Sequence, residues 1–535
     1  MGFFYEKKND QLKPTTPSKS QTKEPIEKQI LKTNLQDNLK TIKDTLGEST
    51  DIVIREILIG NKGTVKAGII YTDGLSDAPS LQNFIMETLM LDIKDTEVES
   101  EITPNPELMN TLKDFAMTVG EIKNVTLFED LFTALLSGDV VLLLDGFSEG
   151  FMIGNKRWAE RGVTESTTQT VIRGPREAFS ENIRINTALI RRKIKDPNLW
   201  MESRMIGKLT KTNIAVMYIK GIANDDIVEE LRMRLDRIDI DGILESGNIE
   251  ELIQDARIST FPTVYNTERP DVVASALLEG RIAIIVDGTP FVLTLPALFV
   301  QFFQSSEDYY QRAEFTSLVR FLRFFSFAIA LLAPALFIAA TTFHHEMIPT
   351  ALLINLAAQR EGVPFPAFIE ALIMEITFEI LREAGLRMPR AIGSAMSIVG
   401  AFVIGTAAVE AGLISAAMVI VVSITAIASF VSPTYDMAFT ARILRFIFMG
   451  LAASFGLFGI TVGLIALILH LCSIRSFGVP YMYPIAPFNL TDQKDTFVRL
   501  PKWKMFTRPR LISQQNINSQ QPPDVAKPEP EKKNE

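Results

Sequence analysis

Cysteine and histidine are almost missing from this chain: Cys472 is its one cysteine, and three histidines stand among 535 residues. One cysteine excludes an intrachain disulfide and any cysteine-based metal centre. His344-His345-Glu346 suggests the start of a zinc motif, but HExxH needs a histidine where Pro349 stands. No GxGxxG, P-loop or GxSxG pattern occurs, so the expectation is a protein that is not an enzyme and holds no cofactor or metal. A secretory signal is not expected either, because MGFFYEKKND has no apolar core or cleavage site, and Glu6 breaks the myristoylation pattern. Charge is the third scarcity, and it is local. The net charge of −9 averages a densely charged stretch before Glu314 with a charge-poor one that continues to Ile474.

The charge-poor half contains long apolar runs. Residues 324–343, 391–409, 411–435 and 446–474 carry no Asp, Glu, Lys or Arg, and Glu410 alone divides the second from the third. A helix rises ~1.5 Å per residue, so a ~30 Å hydrocarbon core takes about 20 apolar residues. Four such runs predict an α-helical polytopic membrane domain over 291–488. Residues 291–303 are apolar but interrupted by Pro296 and too short to cross, which predicts an interfacial or re-entrant segment. Arg475, Lys502, Lys504, Arg508 and Arg510 follow the last run and place the C-terminus in the cytoplasm.

The charged half predicts an α/β or α+β region of two subdomains, 49–172 and 173–290, between a disordered tail at 1–48 and a largely disordered one at 489–535. Both tails are rich in Lys, Gln, Thr or Pro and poor in large apolar residues. TVKAGIIYTDGL, DVVLLLDGF, NIAVMYIKGIA and RIAIIVDGTPFVL are expected as strands, with Asp-Gly turns at Gly74 and Gly146. DDIVEELRMRLDRI reads as a helix with acids in its first turn. The basic run Arg173, Arg176, Arg184, Arg191, Arg192 and Lys193 could meet acidic lipid headgroups or nucleic acid, but its interleaved acids and the membrane context favour lipid proximity or ion pairs, with a solvated, salt-bridged helix face as the default.

Two patterns in the apolar half invite a functional reading. In an apolar helix at 364–385, Glu375, Glu379 and Glu383 recur every four residues and form one acidic stripe. Such acids are costly against lipid, so they belong at a water-filled cavity, a partner charge or the interface. One alternative is an interfacial amphipathic helix in which Glu383 pairs with Arg387; the other is a cation-attracting vestibule or pore lining. Gly393, Ser397, Ala401 and Gly405, with Gly459 and Gly463, form small-residue stripes that let helices approach closely, within the chain or between subunits.

Long stretches of the chain resemble the A subunits of GerA-type spore germinant receptors. They are RGPREAFSENIRINTALIRRKI, FPTVYNTERPDVVASALLEGRIAIIVDGTPFVL, FFQSSEDYY, PFPAFIEALIMEITFEILREAGLRMPRAIG and SFGVPYMYPIAPF. The resemblance covers about 51–488 and leaves out both tails. It implies an integral protein of the endospore inner membrane with both termini cytoplasmic. It further implies assembly with a transporter-like B subunit and a lipoprotein C subunit, self-association, contact with membrane lipids, and a gated channel for monovalent cations. No nucleic acid is expected as a partner. A secondary transporter component and a non-conducting scaffold that clusters receptors are the alternatives; inverted repeats, which the transporter class favours, are not evident in the sequence.

Overall fold

The computed structural model describes residues 29–59, 65–83, 121–156, 166, 169–387, 403–513 and 516–520. The chain divides into two compact units, one of Met1–Lys40, Ile54–Tyr71 and Pro79–Asn155, the other of Thr41–Val53, Thr72–Ala78 and Lys156–Glu535.

The first sheet and its helices belong mainly to the first unit: helix α1 (Leu35–Thr45) is followed by β1 (Ile52–Ile59), β2 (Val65–Thr72), α2 (Ala78–Asn83), β3 (Ile122–Val125), α3 (Phe128–Leu135), β4 (Val140–Leu144) and β5 (Gly150–Ile153). The strands form one sheet in the order β1-β2-β4-β5-β3, antiparallel at β2–β4, β4–β5 and β5–β3. All five residues of β4 are buried, and α3 buries Phe128, Leu131, Phe132 and Leu135. The start of α1 lies close over β2. A Cβ on Gly68 would stand 3.2 Å from both Leu35 and Leu39, tighter than ordinary contact.

The second unit repeats this plan. Helix α4 (Ile183–Lys193) leads to β6 (Leu199–Ile206), β7 (Thr212–Ile219), α5 (Asp225–Asp236), α6 (Ser246–Ile253), β8 (Tyr265–Thr267), α7 (Pro270–Leu278), β9 (Ile282–Val286) and β10 (Val292–Leu295). The strand order β6-β7-β9-β10-β8 is that of the first sheet, position for position, and every pairing is antiparallel. Both units are therefore α+β. Alternating strand faces bury Met201, Met217 and Ile285 against α4 and α7. The opposite face buries Val216, Ile284 and Leu293 against α5 and α6, with Val479, Tyr483 and Ile512 from the C-terminal segment.

The repetition extends to single hydrogen bonds. Asn34 caps α1, and Asn182 caps α4, each by accepting from the backbone two residues on. Asn38 accepts from Lys32 N–H and donates to its carbonyl, while Asn186 does both with Ser180. The turn aspartates Asp145 and Asp287 accept from Leu35 N–H at 3.0 Å and Ile183 N–H at 3.1 Å. The following glycines, Gly146 and Gly288, donate to Thr33 and Glu181 carbonyls at 2.8 Å each.

Residues 291–303 differ from the expected interfacial segment. They are β10, a cis Leu295–Pro296 bond and a buried 3-10 turn, Phe299–Phe303. A Thr or Leu in a ladder has its backbone satisfied by neighbouring strands, which an isolated apolar stretch cannot achieve. Phe299, Phe302 and Phe303 join Phe261, Tyr265, Met437, Leu471 and Tyr481 in one aromatic cluster.

The apolar half is helical: α8 (Ala313–Thr342), α9 (Thr350–Arg360), α10 (Ala367–Arg387), α11 (Ala416–Phe430) and α12 (Tyr435–Ser473). Among the described residues, α8 and α12 are long and apolar enough to cross a membrane. The run at 446–474 is nevertheless not one straight span. Gly456 has φ 60 and ψ −141, outside helical values, and the chain reverses there. A Cβ on Gly463 would meet Phe448 Cε1 at 2.9 Å, and Met437 and Leu471 share one cluster, so the two halves of α12 lie antiparallel. Residues 388–402, which hold most of the run at 391–409, lie outside the described residues. The run at 411–435 holds α11, which starts at a Ser415 cap. Both expected tails, 1–48 and 489–535, contain folded residues: Leu35, Leu39 and Ile42 of α1 are buried, and so are Thr496, Arg499, Ile512 and Ser513.

A charged seam among the apolar helices

The acids of the predicted stripe sit on α10, expected at 364–385 and found at Ala367–Arg387. This helix runs antiparallel to α8 and to the first half of α12. Its early residues Ala371 and Met374 pack with Leu331 and Ile338. Farther along, Glu375 meets Arg445, Glu379 meets Arg442, and Arg382 stacks on Phe430 at 4.7 Å. Glu375 and Arg445 are both buried, and Arg445 Nε donates to Ala330 carbonyl of α8 at 2.7 Å. Arg442 donates to Glu379 at 2.8 Å and lies over the Phe439 ring at 4.1 Å. One turn nearer the start of α10, fully buried Glu370 accepts from Ser415 N–H at 2.6 Å and from its hydroxyl, which seats α11 against α10.

Glu383 stands apart from this seam. It is exposed and pairs with Arg387 one turn on at 2.6 Å. The stripe thus divides into two acids joined to neighbouring helices and one on the surface. Period alone could not divide it, since all three share a face of α10. The arginines escape a search for uncharged runs, because such a run begins just after Arg445. Their signal was available: Arg442 and Arg445 are three apart on the first half of an apolar helix, a spacing that can meet acids four apart.

The partners are incompletely matched. Among the described residues, fourteen buried side-chain nitrogen or oxygen atoms have no hydrogen-bond partner, and eight of them belong to residues 360–445. They include Glu370 Oε2, Glu375 Oε1, Glu379 Oε1, two nitrogens of Arg442 and one each of Arg382 and Arg445. Each carboxylate keeps one oxygen for an Arg or Ser and leaves the other unused. Fixed charges with spare hydrogen-bonding capacity in an apolar layer call for water or an ion beside them.

Of the small-residue stripes, Gly393, Ser397 and Ala401 lie outside the described residues. Gly405 sits in a π-helical turn, Val403–Ala407, with nothing near its Cβ position. Gly459 and Gly463 lie within the α12 hairpin, where they allow its halves to approach. His344 precedes a short 3-10 turn, His345–Met347, that contains Glu346 and follows α8, and no group of metal-ligating side chains occurs among the described residues.

Four members of the basic run of the second unit are ion-paired. Buried Arg191 forks onto Asp51 at 2.7 and 3.0 Å, Arg192 and Lys193 meet Glu177, and Arg184 meets Asp73.

The chain is also similar to known proteins over most of its length. Residues 40–511 match the family described as Bacillus/Clostridium GerA spore germination protein. Spore germination protein KA of Bacillus subtilis (strain 168) is 50% identical over 487 residues, 91% of this chain and 88% of that protein. Spore germination protein GerLA of Bacillus cereus is 41% identical over 482 residues, 90% of this chain and 96% of that one. Among solved structures, the N-terminal domain of the A subunit of the Bacillus megaterium spore germinant receptor GerK3 is 43% identical. It covers 51% of this chain and 99% of its own, with a TM-score of 0.41. The chain belongs to the GerA spore germination protein family.

Proposed function

We propose that this chain is the membrane-spanning A subunit of a spore nutrient-germinant receptor, and that the charged seam borders a gated path for monovalent cations. The unmatched oxygens of Glu375 and Glu379 carry the reading: each carboxylate is paired with an arginine through one oxygen and keeps the other as a spare acceptor at the depth of the apolar helices. In this scheme α8, α10, α11 and the α12 hairpin lie in the endospore inner membrane, with both sheets and the C-terminal segment on the cytoplasmic side. Partner B and C subunits report nutrient binding, and copies of this chain associate so that several seams face one path. Gating follows if the partners favour one of two arrangements of α10 against α12, since an effector shifts an equilibrium only through differential contacts. The reaction is conduction, with no covalent step.

The test is cation flux from liposomes that hold the chain with its B and C partners. Nutrient-dependent flux that changes in Glu375→Gln and Glu379→Gln, with assembly intact, is expected. The pairing itself favours a second reading, in which Glu375–Arg445 is a clamp in a non-conducting scaffold. Tight liposomes in every condition, with assembly confirmed, would establish that reading instead.

A further inference from the structure

Residues 488–510 leave the second sheet and run beside the start of α8. The stretch carries six Lys and Arg against two Asp, in a chain whose net charge is −9. Its inner side is fastened: buried Arg320 donates to Asp495 at 2.6 Å, Arg499 N–H donates to Ser317 Oγ at 3.1 Å, and the Phe497 ring packs at a tilt on Phe324, 4.7 Å between centroids. Phe324 opens the charge-free run of α8, so this strap lies at the level where the helix becomes apolar.

Its outer side is of another kind. Val498 and Trp503 are at least 40% exposed, and Phe497 keeps one open side beside its contact with Phe324. Beside them, the first turns of α8 expose Phe315, Leu318, Phe321, Leu322 and Phe325. Lys502 and Lys504 flank Trp503 in a 3-10 turn, and neither has a carboxylate within ion-pair distance among the described residues. A chain advances at most ~3.6 Å per residue, so Lys502 to Lys504 remain within roughly 18 Å of the tie at Arg499. Exposed aromatic rings beside unneutralised lysines, at the end of an apolar helix, match the headgroup layer of a bilayer.

We propose that residues 497–504 are a docking surface for anionic phospholipid. Phe497, Val498 and Trp503 enter the headgroup region and Lys502 and Lys504 meet lipid phosphates. The proposal rests on the membrane-spanning reading above. It adds a lipid-class preference located in the C-terminal segment, where the sequence predicted only a disordered tail. Lipid composition then bears on the strap, and through Arg320 and Asp308 on the first turns of α8.

The test uses the full chain in vesicles of phosphatidylcholine alone or with phosphatidylglycerol, each with bromine-labelled acyl chains as quencher. Trp503→Phe identifies the contribution of that ring. The expected result is Trp503-dependent quenching that is stronger with phosphatidylglycerol. Lys502→Gln and Lys504→Gln should each lower the docked-to-undocked ratio roughly fivefold, the value of one lysine near an anionic surface. Protein that resists alkaline extraction yet shows no Trp503-dependent quenching overturns the docking surface and leaves the spanning reading intact; that result is also expected if a partner protein covers the patch. Equal quenching in both vesicles, indifferent to the lysines, overturns the anionic preference. Protein removed by alkaline extraction sinks the spanning reading and this proposal with it.

Discussion

The two sheets share strand order, helix caps and turn aspartates, but their first helices face different duties. Position for position along the repeated circuit, Arg191 of α4 corresponds to Lys43 of α1, as Asn186 corresponds to Asn38. Lys43 is exposed, whereas Arg191 is buried on Asp51. The last hairpins also diverge in use: β10 continues into the aromatic cluster and α8, while β5 has no such continuation among the described residues. A common frame has thus been kept where it sets the sheet and altered in two places, where α4 meets the segment before β1 and where β10 leads on towards the apolar helices. Asparagine pairs that satisfy a backbone N–H and carbonyl together serve the frame; buried charge serves the altered parts.

Replacing Arg191 with Ala should be the most damaging change, because it strands a buried Asp51. A loss of about 3–5 kcal/mol is expected, against less than ~0.5 kcal/mol for Lys43→Ala, read from thermal unfolding of the full chain. Equal effects would remove the distinction between the copies. Asn186→Ala and Asn38→Ala should instead behave alike, each costing about 1–3 kcal/mol for the orphaned backbone groups. Hydrogen exchange at residues 180 and 32 locates the loss; protection that persists at one of them would show that the circuit is not a shared frame.

Glu250 sharpens the comparison from the side of pH. Burial, and then the nearby negative charge of Asp436, push its carboxyl up to about 8. A carboxyl raised on folding adds stability that is complete below its unfolded value near 4.5 and fades as pH rises through about 8. Glu250→Gln should therefore flatten the fall of melting temperature across that interval and leave the variant the more stable at pH above 8. An unchanged slope would mean that Glu250 is ionised throughout. The smallest effects are expected at the turn aspartates, where Asp145→Ala and Asp287→Ala each remove one N–H acceptor worth about 1 kcal/mol. A double-digit fall in melting temperature for only one of them would reveal a further duty at that turn.

Much of the soluble half was legible from alternation and turn chemistry. β7 and the Asp-Gly turns fall where the apolar alternation placed them, and α5 begins at its capping Asn224. The run RIAIIVDGTPFVL was read as one strand but is a hairpin, since Asp287-Gly288 turns the chain between two apolar stretches. The repetition is also present in the letters, as Asn-x-x-x-Asn at the start of each first helix and Leu-Leu-x-Gly ahead of each last hairpin. Few side chains carry it, because the circuit acts through backbone groups that any residue supplies. In the apolar half, length and composition revealed helices but not their partners. Gly456 reads as one more small residue in an apolar run until its backbone angles are known, and the pairing of Glu375 with Arg445 spans elements whose order in space no local pattern discloses.

The reversal at Gly456 bears on how such a chain could be threaded into a bilayer. A helical pair that turns within so few residues carries no hydrophilic loop at its tip, as Phe455, Leu457 and Phe458 flank the glycine. Transfer of a polar connection, ordinarily the obstacle to moving a segment across, is thereby avoided. In the proposed membrane arrangement the pair would enter as a single wedge, with Tyr435 and Ser473 on one side of the layer.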